Sequence, residues 1–192
     1  MKTMSAIVMM AALAGLAAAG CKDRKVQSGA GDVPEKTAGA VLELRSSAFA
    51  DGEAIPSAYT CEGADQSPPL EWSAPPEGTR SLVLVMDDPD APKGTWVHWV
   101  LYAIPPATTS LGENLPKEET VSGGMRQGTT DFDKVGYGGP CPPPGSAHHY
   151  SFRIYALDIP SDFEMKLTRA QLEEAIEGHV LAEGKLTGTF KR

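Results

Sequence analysis

The chain of 192 residues, 41% of them hydrophobic, is long enough to bury one substantial core. Its 17 basic and 25 acidic residues give a formal net charge of −8, which leaves no basic surface to neutralise a nucleic acid backbone and excludes that class of partner. A single phosphate group needs only a local cluster of donors, and the charge does not exclude it.

Lys2 precedes an apolar run from Ile7 to Ala19 that ends in "AAGC" at Cys21. A positive start, a short apolar stretch and small residues before the cut predict a signal peptide over residues 1–20, too short to be a good membrane span. Small residues followed directly by cysteine resemble a bacterial lipobox, although Ala18 stands where leucine is commoner. Cys21 is thus expected to be lipidated and to become the first mature residue. Lys22, not aspartate, follows it, as in Gram-negative lipoproteins exported to the outer membrane. Residues 21–40 hold charges and small side chains with little to bury, and read as a flexible tether. Residues 41–192 are the size of one domain.

Within that domain, "VLELRSSAF", "SLVLVMDD", "WVHWVLYAI", "HYSFRIYALDI" and "GKLTGTF" alternate or are wholly apolar between turn residues, and predict strands. Ser81–Met86 is apolar on both faces, which predicts a central strand. The connections are long and proline-rich, so the expected fold is mostly β: antiparallel Greek-key sheets with a few short peripheral helices. Thr168 caps the one convincing helix, "RAQLEEAIEGHVLAEG", whose apolar stripe of Leu172, Ala175, Ile176, His179 and Val180 predicts packing, with Gly184 as its end. His179 on that stripe reads as a packed structural residue. Cys61 and Cys141 would share an oxidising compartment, where a disulfide between them is permitted.

Three stretches concentrate polar groups beside strands. In "DDPDAP" (Asp87–Pro92) the prolines fix a rigid turn that carries carboxylates. In "GTWVHWVLYAI" alternation puts Trp96, His98, Val100 and Tyr102 on one face. His98 is therefore expected at a buried or cavity-wall position, where a carboxylate from the neighbouring turn would hold its tautomer and raise its pKa. In "GYGGPCPPPGSAHHYSF" (Gly136–Phe152) alternation sends His148, Tyr150, Phe152 and Ile154 to one face and His149, Ser151 and Arg153 to the other. His148 is the candidate site residue and His149 the solvated one. The backbone N–H groups of Gly136, Gly138 and Gly139 would allow close approach by a ligand, while Pro142–Pro144 stiffen that wall.

Exposed amides, imidazoles and aromatic walls suit a small anion such as a phosphate ester. No P-loop or dinucleotide fingerprint is present, and the spacing of Asp88, Asp90, His98 and His148 matches no standard metal motif, so no cofactor and no metal are expected. Cys141, among prolines, lacks the helix N-terminus that lowers a thiol pKa, which argues against a nucleophile.

"DPDAP" followed by "HW", then a glycine-proline loop ending in "PPPG" before "HHY", resembles the phosphatidylethanolamine-binding protein family in its bacterial Raf-kinase-inhibitor-like branch. "YTCEGADQSPPLEW", "GTTDFDKVGYGGPCPPPG" and "GHVLAEGKLTGTF" extend the likeness over most of residues 41–192. The resemblance implies a central antiparallel sheet and a small surface pocket for phosphate-bearing head groups or other anions. Carried over by motif, that pocket comprises Asp88 and Asp90, Trp96 and His98, Gly139, and His148 and Tyr150, with the choice between the two aspartates left open. Cys141 departs from the small residue of some relatives. The chain ends soon after "GTF", without the added helix of eukaryotic members, so their kinase inhibition is not carried over. The expected function is a non-enzymatic, lipid-anchored binding protein of the cell envelope, at the periplasmic face of the outer membrane if Gram-negative, with no identified protein partner. The alternative is inhibition or modulation of an envelope protease or other partner through the loop surface.

Overall fold

The computed structural model describes residues 40–192. The expected signal peptide, Cys21 and the tether up to residue 39 lie outside the described residues. In chain order the elements are β1 (Ala40–Val41), β2 (Leu44–Arg45), β3 (Leu70–Trp72), β4 (Ser81–Asp88), β5 (Trp96–Ile104), β6 (Ser110–Leu111), β7 (Arg126–Gln127), β8 (His148–Leu157), α1 (Arg169–Ile176) and β9 (Val180–Phe190). Six strands form one sheet in the order β1-β9-β8-β4-β5-β7, and β2-β3-β6 form a second. Pairing is antiparallel except for β1, which runs parallel to β9. The mostly β, largely antiparallel expectation therefore holds.

All eight residues of β4 are buried, because β5 and β8 cover its edges and both faces of the sheet are packed. On one face Leu82, Leu84 and Met86 join Trp99, Leu101, Phe152 and Ile154, roofed by Leu44, Leu70, Trp72 and Leu111 of the small sheet. On the other, Val83, Val85, Val100 and Tyr102 meet Leu172 and Ile176 of α1. Each of those two helix side chains contributes about 1.5–3 kcal/mol by leaving water. The period-two pattern thus builds a layered core with a helix on one side and a sheet on the other.

Two expectations need correction. "VLELRSSAF" is not one strand: β1 belongs to the large sheet, where Leu42 N–H also reaches the Glu183 carbonyl at 2.8 Å. β2 turns away to pair with β3 in the small sheet. The helix is also shorter than predicted. Thr168 does cap it, in a reciprocal box with Gln171, but it ends at Ile176, and Gly178 at φ 80° turns the chain back. Val180–Glu183 then pair with β8 as the start of β9. A continuous ladder to β8 outweighs further turns of a helix whose remaining apolar residues have no surface to cover. His179 consequently sits in an exposed turn, its Nδ1 2.9 Å from Asp158 Oδ1, not on a packed stripe.

A buried ion pair fastens α1 to the sheet. Arg169 Nη1 lies 2.6 Å from Asp87 Oδ2, and its Nε donates to Glu173 Oε1 at 2.7 Å. Burial pushes the Asp87 carboxyl above its usual range, against the pull of the Arg169 guanidinium. A second fastening is the disulfide between Cys61 and Cys141, whose Cα atoms are 5.4 Å apart across a sequence separation of 80.

Two predictions follow from these fastenings. Arg169→Ala leaves a buried carboxylate without its partner, and because Arg169 keeps part of its own side chain in water, the loss is placed at about 3 kcal/mol, the lower end for such pairs. Urea denaturation measures it; a loss below about 1 kcal/mol would show that the pair is idle. Replacing both cysteines by serine should lower stability by about 2–4 kcal/mol through release of the long loop, read as a lower urea midpoint with an unchanged far-UV spectrum.

Candidate functional site

The strands deliver three polar side chains to one end of the large sheet. Asp88 is the last residue of β4, on the face shared with Met86 and Leu84. The Asp-Pro turn follows at once, closed by the Asp90 N–H donating to Asp88 Oδ1 at 2.8 Å, so the carboxylate is fixed by the backbone it caps. Its other oxygen, Oδ2, lies 2.8 Å from Nδ1 of His148, the first residue of β8. Both side chains are buried. Alternation along β8 holds: Tyr150, Phe152 and Ile154 share the inner face with His148, and His149 faces solvent.

Asp90 pairs with that second histidine. Its Oδ2 accepts from the His149 backbone N–H at 2.8 Å and lies 2.7 Å from His149 Nδ1, and these bonds hold the Asp90 carboxyl below its usual range. The choice left open by the sequence is resolved: Asp88 faces inward, and Asp90 braces the exposed rim.

His98 reaches the same place by a different route. The β4–β5 register jumps between Met86↔Trp99 and Asp87↔Val97, which makes His98 the extra residue of a β-bulge. Val97 and Trp99 therefore lie on opposite faces, not together as strict alternation predicts. The bulge turns His98 away from Val100 and Tyr102 and against Tyr150, with ring centroids 5.2 Å apart and nearly perpendicular. The buried partner expected for His98 is not a carboxylate. Its Nδ1 lies 2.7 Å from the Gly138 carbonyl, and the Gly138 N–H donates back to the His98 carbonyl at 2.9 Å. Burial lowers the His98 pKa, and the bond to Gly138 offsets this only in part, so the expected upward shift is reversed in sign.

Asp88, Trp96, His98, Phe132, Pro142 and His148 line a cavity of about 210 Å³. Both imidazoles are held through Nδ1, which fixes the Nδ1–H tautomer at His98 and leaves Nε2 of each ring without a protein partner. Among the described residues the Tyr150 hydroxyl is the one sealed side-chain N or O atom with no hydrogen bond. The two Nε2 atoms are therefore open to the cavity that their rings line. Tyr150 itself lies beneath His98, fully buried; burial and then the nearby Asp88 carboxylate raise its phenol well above the usual range. It remains a neutral donor.

The glycine wall works differently from its sequence reading. The Gly138 N–H is taken by His98, and the Gly139 N–H donates to Asp65 Oδ1 at 2.6 Å, so neither amide is available to a ligand. Gly139 is not among the residues that line the histidine cavity, and a Cβ there would come within 2.7 Å of the Tyr59 carbonyl and Asp65 Oδ1. Cys141 is in the disulfide and carries no thiol. Among the described residues no three His, Cys, Asp or Glu side chains are grouped to hold a metal. Sequence reasoning missed Phe132, which packs edge-on against both Trp96 and His98; its one signal is an aromatic residue inside a polar loop. Asp65 gave no signal at all, since its contact with Gly139 spans 74 residues.

Comparison with known proteins adds three findings. The family model for phosphatidylethanolamine-binding protein matches residues 45–191. A UPF0098 protein of Aquifex aeolicus is 48% identical over 156 residues, covering 80% of this chain and 91% of its own length; one of Methanothermobacter thermautotrophicus is 48% identical over 151 residues, covering 79% and 99%. Two crystal structures superimpose on the domain. A phosphatidylethanolamine-binding protein homologue of Chlamydia trachomatis has a TM-score of 0.73 at 38% identity, covering 79% of this chain and 98% of its own. Escherichia coli YbcL, described as a member of the mammalian family, has a TM-score of 0.74 at 31% identity, covering 80% and 99%.

Proposed function

The chain belongs to the phosphatidylethanolamine-binding protein family, and from that premise we propose that it is a non-enzymatic binding protein whose histidine pocket takes the anionic group of a small molecule. The chemical class is a phosphate ester or carboxylate, with a phospholipid head group among the candidates. One observation carries the reading: two buried imidazoles, each tied through Nδ1, turn Nε2 towards one small cavity. An Nε2 that binds a proton becomes a charged donor, and such donors make short, strong bonds to oxyanions. The Asp88 carboxylate fixes the direction of the His148 ring, so little freedom is lost when a ligand arrives. Lipidation at Cys21 would hold this pocket at a bacterial envelope membrane.

The same geometry argues for binding over turnover. The one sulfur at the pocket is tied in a disulfide and offers no thiol nucleophile. The alternative, a loop that docks on an envelope protein, draws on the exposed Pro143–Ala147 segment next to the disulfide. Binding to a partner that survives pocket substitution but not loop substitution would favour it.

Sulfate keeps its charge across mildly acidic and neutral pH, so its binding reports protein protons alone. Because burial lowers the His98 pKa from the ordinary 6.5, sulfate affinity should rise as pH falls below that value, by up to about tenfold per pH unit while one proton is taken up. The sign for stability is opposite. An imidazole with a depressed folded pKa stabilises the ligand-free protein above its unfolded pKa, and that contribution is lost as pH falls towards the folded one. The unfolding temperature of the ligand-free protein should drop on acidification, and sulfate should restore it. Titration calorimetry from pH 7.5 to 5 with wild type and a His98→Ala, His148→Ala double variant tests the reading. Equal affinity in the double variant would remove the pocket assignment.

A further inference from the structure

A second cavity of about 230 Å³ adjoins the histidine pocket, and Phe132 and Cys141 line both. The partition is thin. Gly138 has no side chain, and a Cβ there would come within 2.7 Å of the Phe132 ring, so one aromatic ring lies on bare backbone between the two spaces. The second cavity has another chemistry: the buried Tyr137, Val135, Phe132 and glycine backbone form its apolar wall, with no histidine among its lining residues. Its rim carries Lys117 and Lys134 against one carboxylate, Asp65, which Lys117 engages at 2.5 Å. Lys134 is exposed and has no ion pair among the described residues.

We infer that the two cavities form one bipartite site, in which an amphiphilic anion places its charged group between His98 and His148 and a compact apolar group, the size of an aromatic ring, beside Val135 and Tyr137. The inference rests on the anion-pocket reading above and narrows its ligand class. Volume supports a ring: an apolar cavity of about 150 Å³ is enough to hold benzene, and this one is larger. The favoured ligand is then an aryl ester of phosphate or a similar compact amphiphile, and a head group that is polar at both ends leaves the second cavity unused.

Full-length protein is titrated by NMR at pH 6 with inorganic phosphate, phosphoethanolamine and phenyl phosphate, following the ring signals of His98 and His148. Phenyl phosphate should bind about tenfold or more tighter than either other probe and should show nuclear Overhauser contacts from its ring protons to the Val135 methyls. Val135→Trp, which fills the second cavity, should bring the affinity ratio of phenyl phosphate to phosphate close to one; if that variant does not fold, the wild-type contacts to Val135 still decide. Phosphate binding with no preference for phenyl phosphate, no contact to Val135, or tighter binding of phosphoethanolamine would overturn the bipartite site and leave the anion pocket standing. Ring signals that respond to none of the three would remove the pocket and the bipartite site together.

Discussion

The site depends on a reciprocal pair of hydrogen bonds between His98 and Gly138, in which the Gly138 N–H donates to the His98 carbonyl and the His98 ring donates to the Gly138 carbonyl. The first bond continues the edge of β5 into the glycine loop; the second fixes the ring and its tautomer. Each supports the other, because displacement of the loop would leave a buried imidazole and a buried carbonyl unpartnered, a cost of about 1–3 kcal/mol per group. From this joint outward the loop is fastened again by Asp65 at Gly139 and by the disulfide at Cys141. The wall of the pocket is thus rigid through a chain of contacts whose members are far apart in sequence.

That constraint explains how polar groups are shared between protein and ligand. The Gly138 and Gly139 amides, both Nδ1 atoms and Asp88 are spent on holding the frame, and the two Nε2 atoms are left for the cavity. A preorganised frame of this kind lowers the entropy lost on binding. It also ties anion affinity to protonation, because a neutral Nε2 repels an oxyanion and a protonated one attracts it.

Much of the fold could be read from side-chain periodicity. β4, β5 and β8 are long, regular and enclosed, and for such strands alternation is dictated by burial; it placed His148 inside and His149 outside correctly. It failed at His98, because a bulge changes the phase of β5 and no local residue pattern announces it. The ring still reaches the pocket, by the opposite face from the one assigned. The helix was overextended for a related reason: Val180–Glu183 have helical spacing, but the open edge of β8 offers them a full ladder. Long-range pairings such as Asp65 with Gly139 and Arg169 with Asp87 were invisible, since neither is encoded by local spacing. The motif order that resembles a family brings Asp88, Trp96, His98 and His148 to one cavity, but it carries no sign that Gly139 lines the neighbouring one or that Asp90 pairs with His149 at the rim.

The central claim is that His98 and His148 are each anchored through Nδ1 and receive an anion through Nε2. Long-range proton–nitrogen correlation NMR of the two imidazoles, recorded at pH 7 without ligand and then at pH 6 with phosphate, reads both nitrogens of each ring. The account predicts a proton on Nδ1 and a bare Nε2 for His98 in the ligand-free protein, and perturbation of both Nε2 signals when phosphate is added. A proton on Nε2 of ligand-free His98, or Nε2 signals in both rings that ignore phosphate, would contradict it.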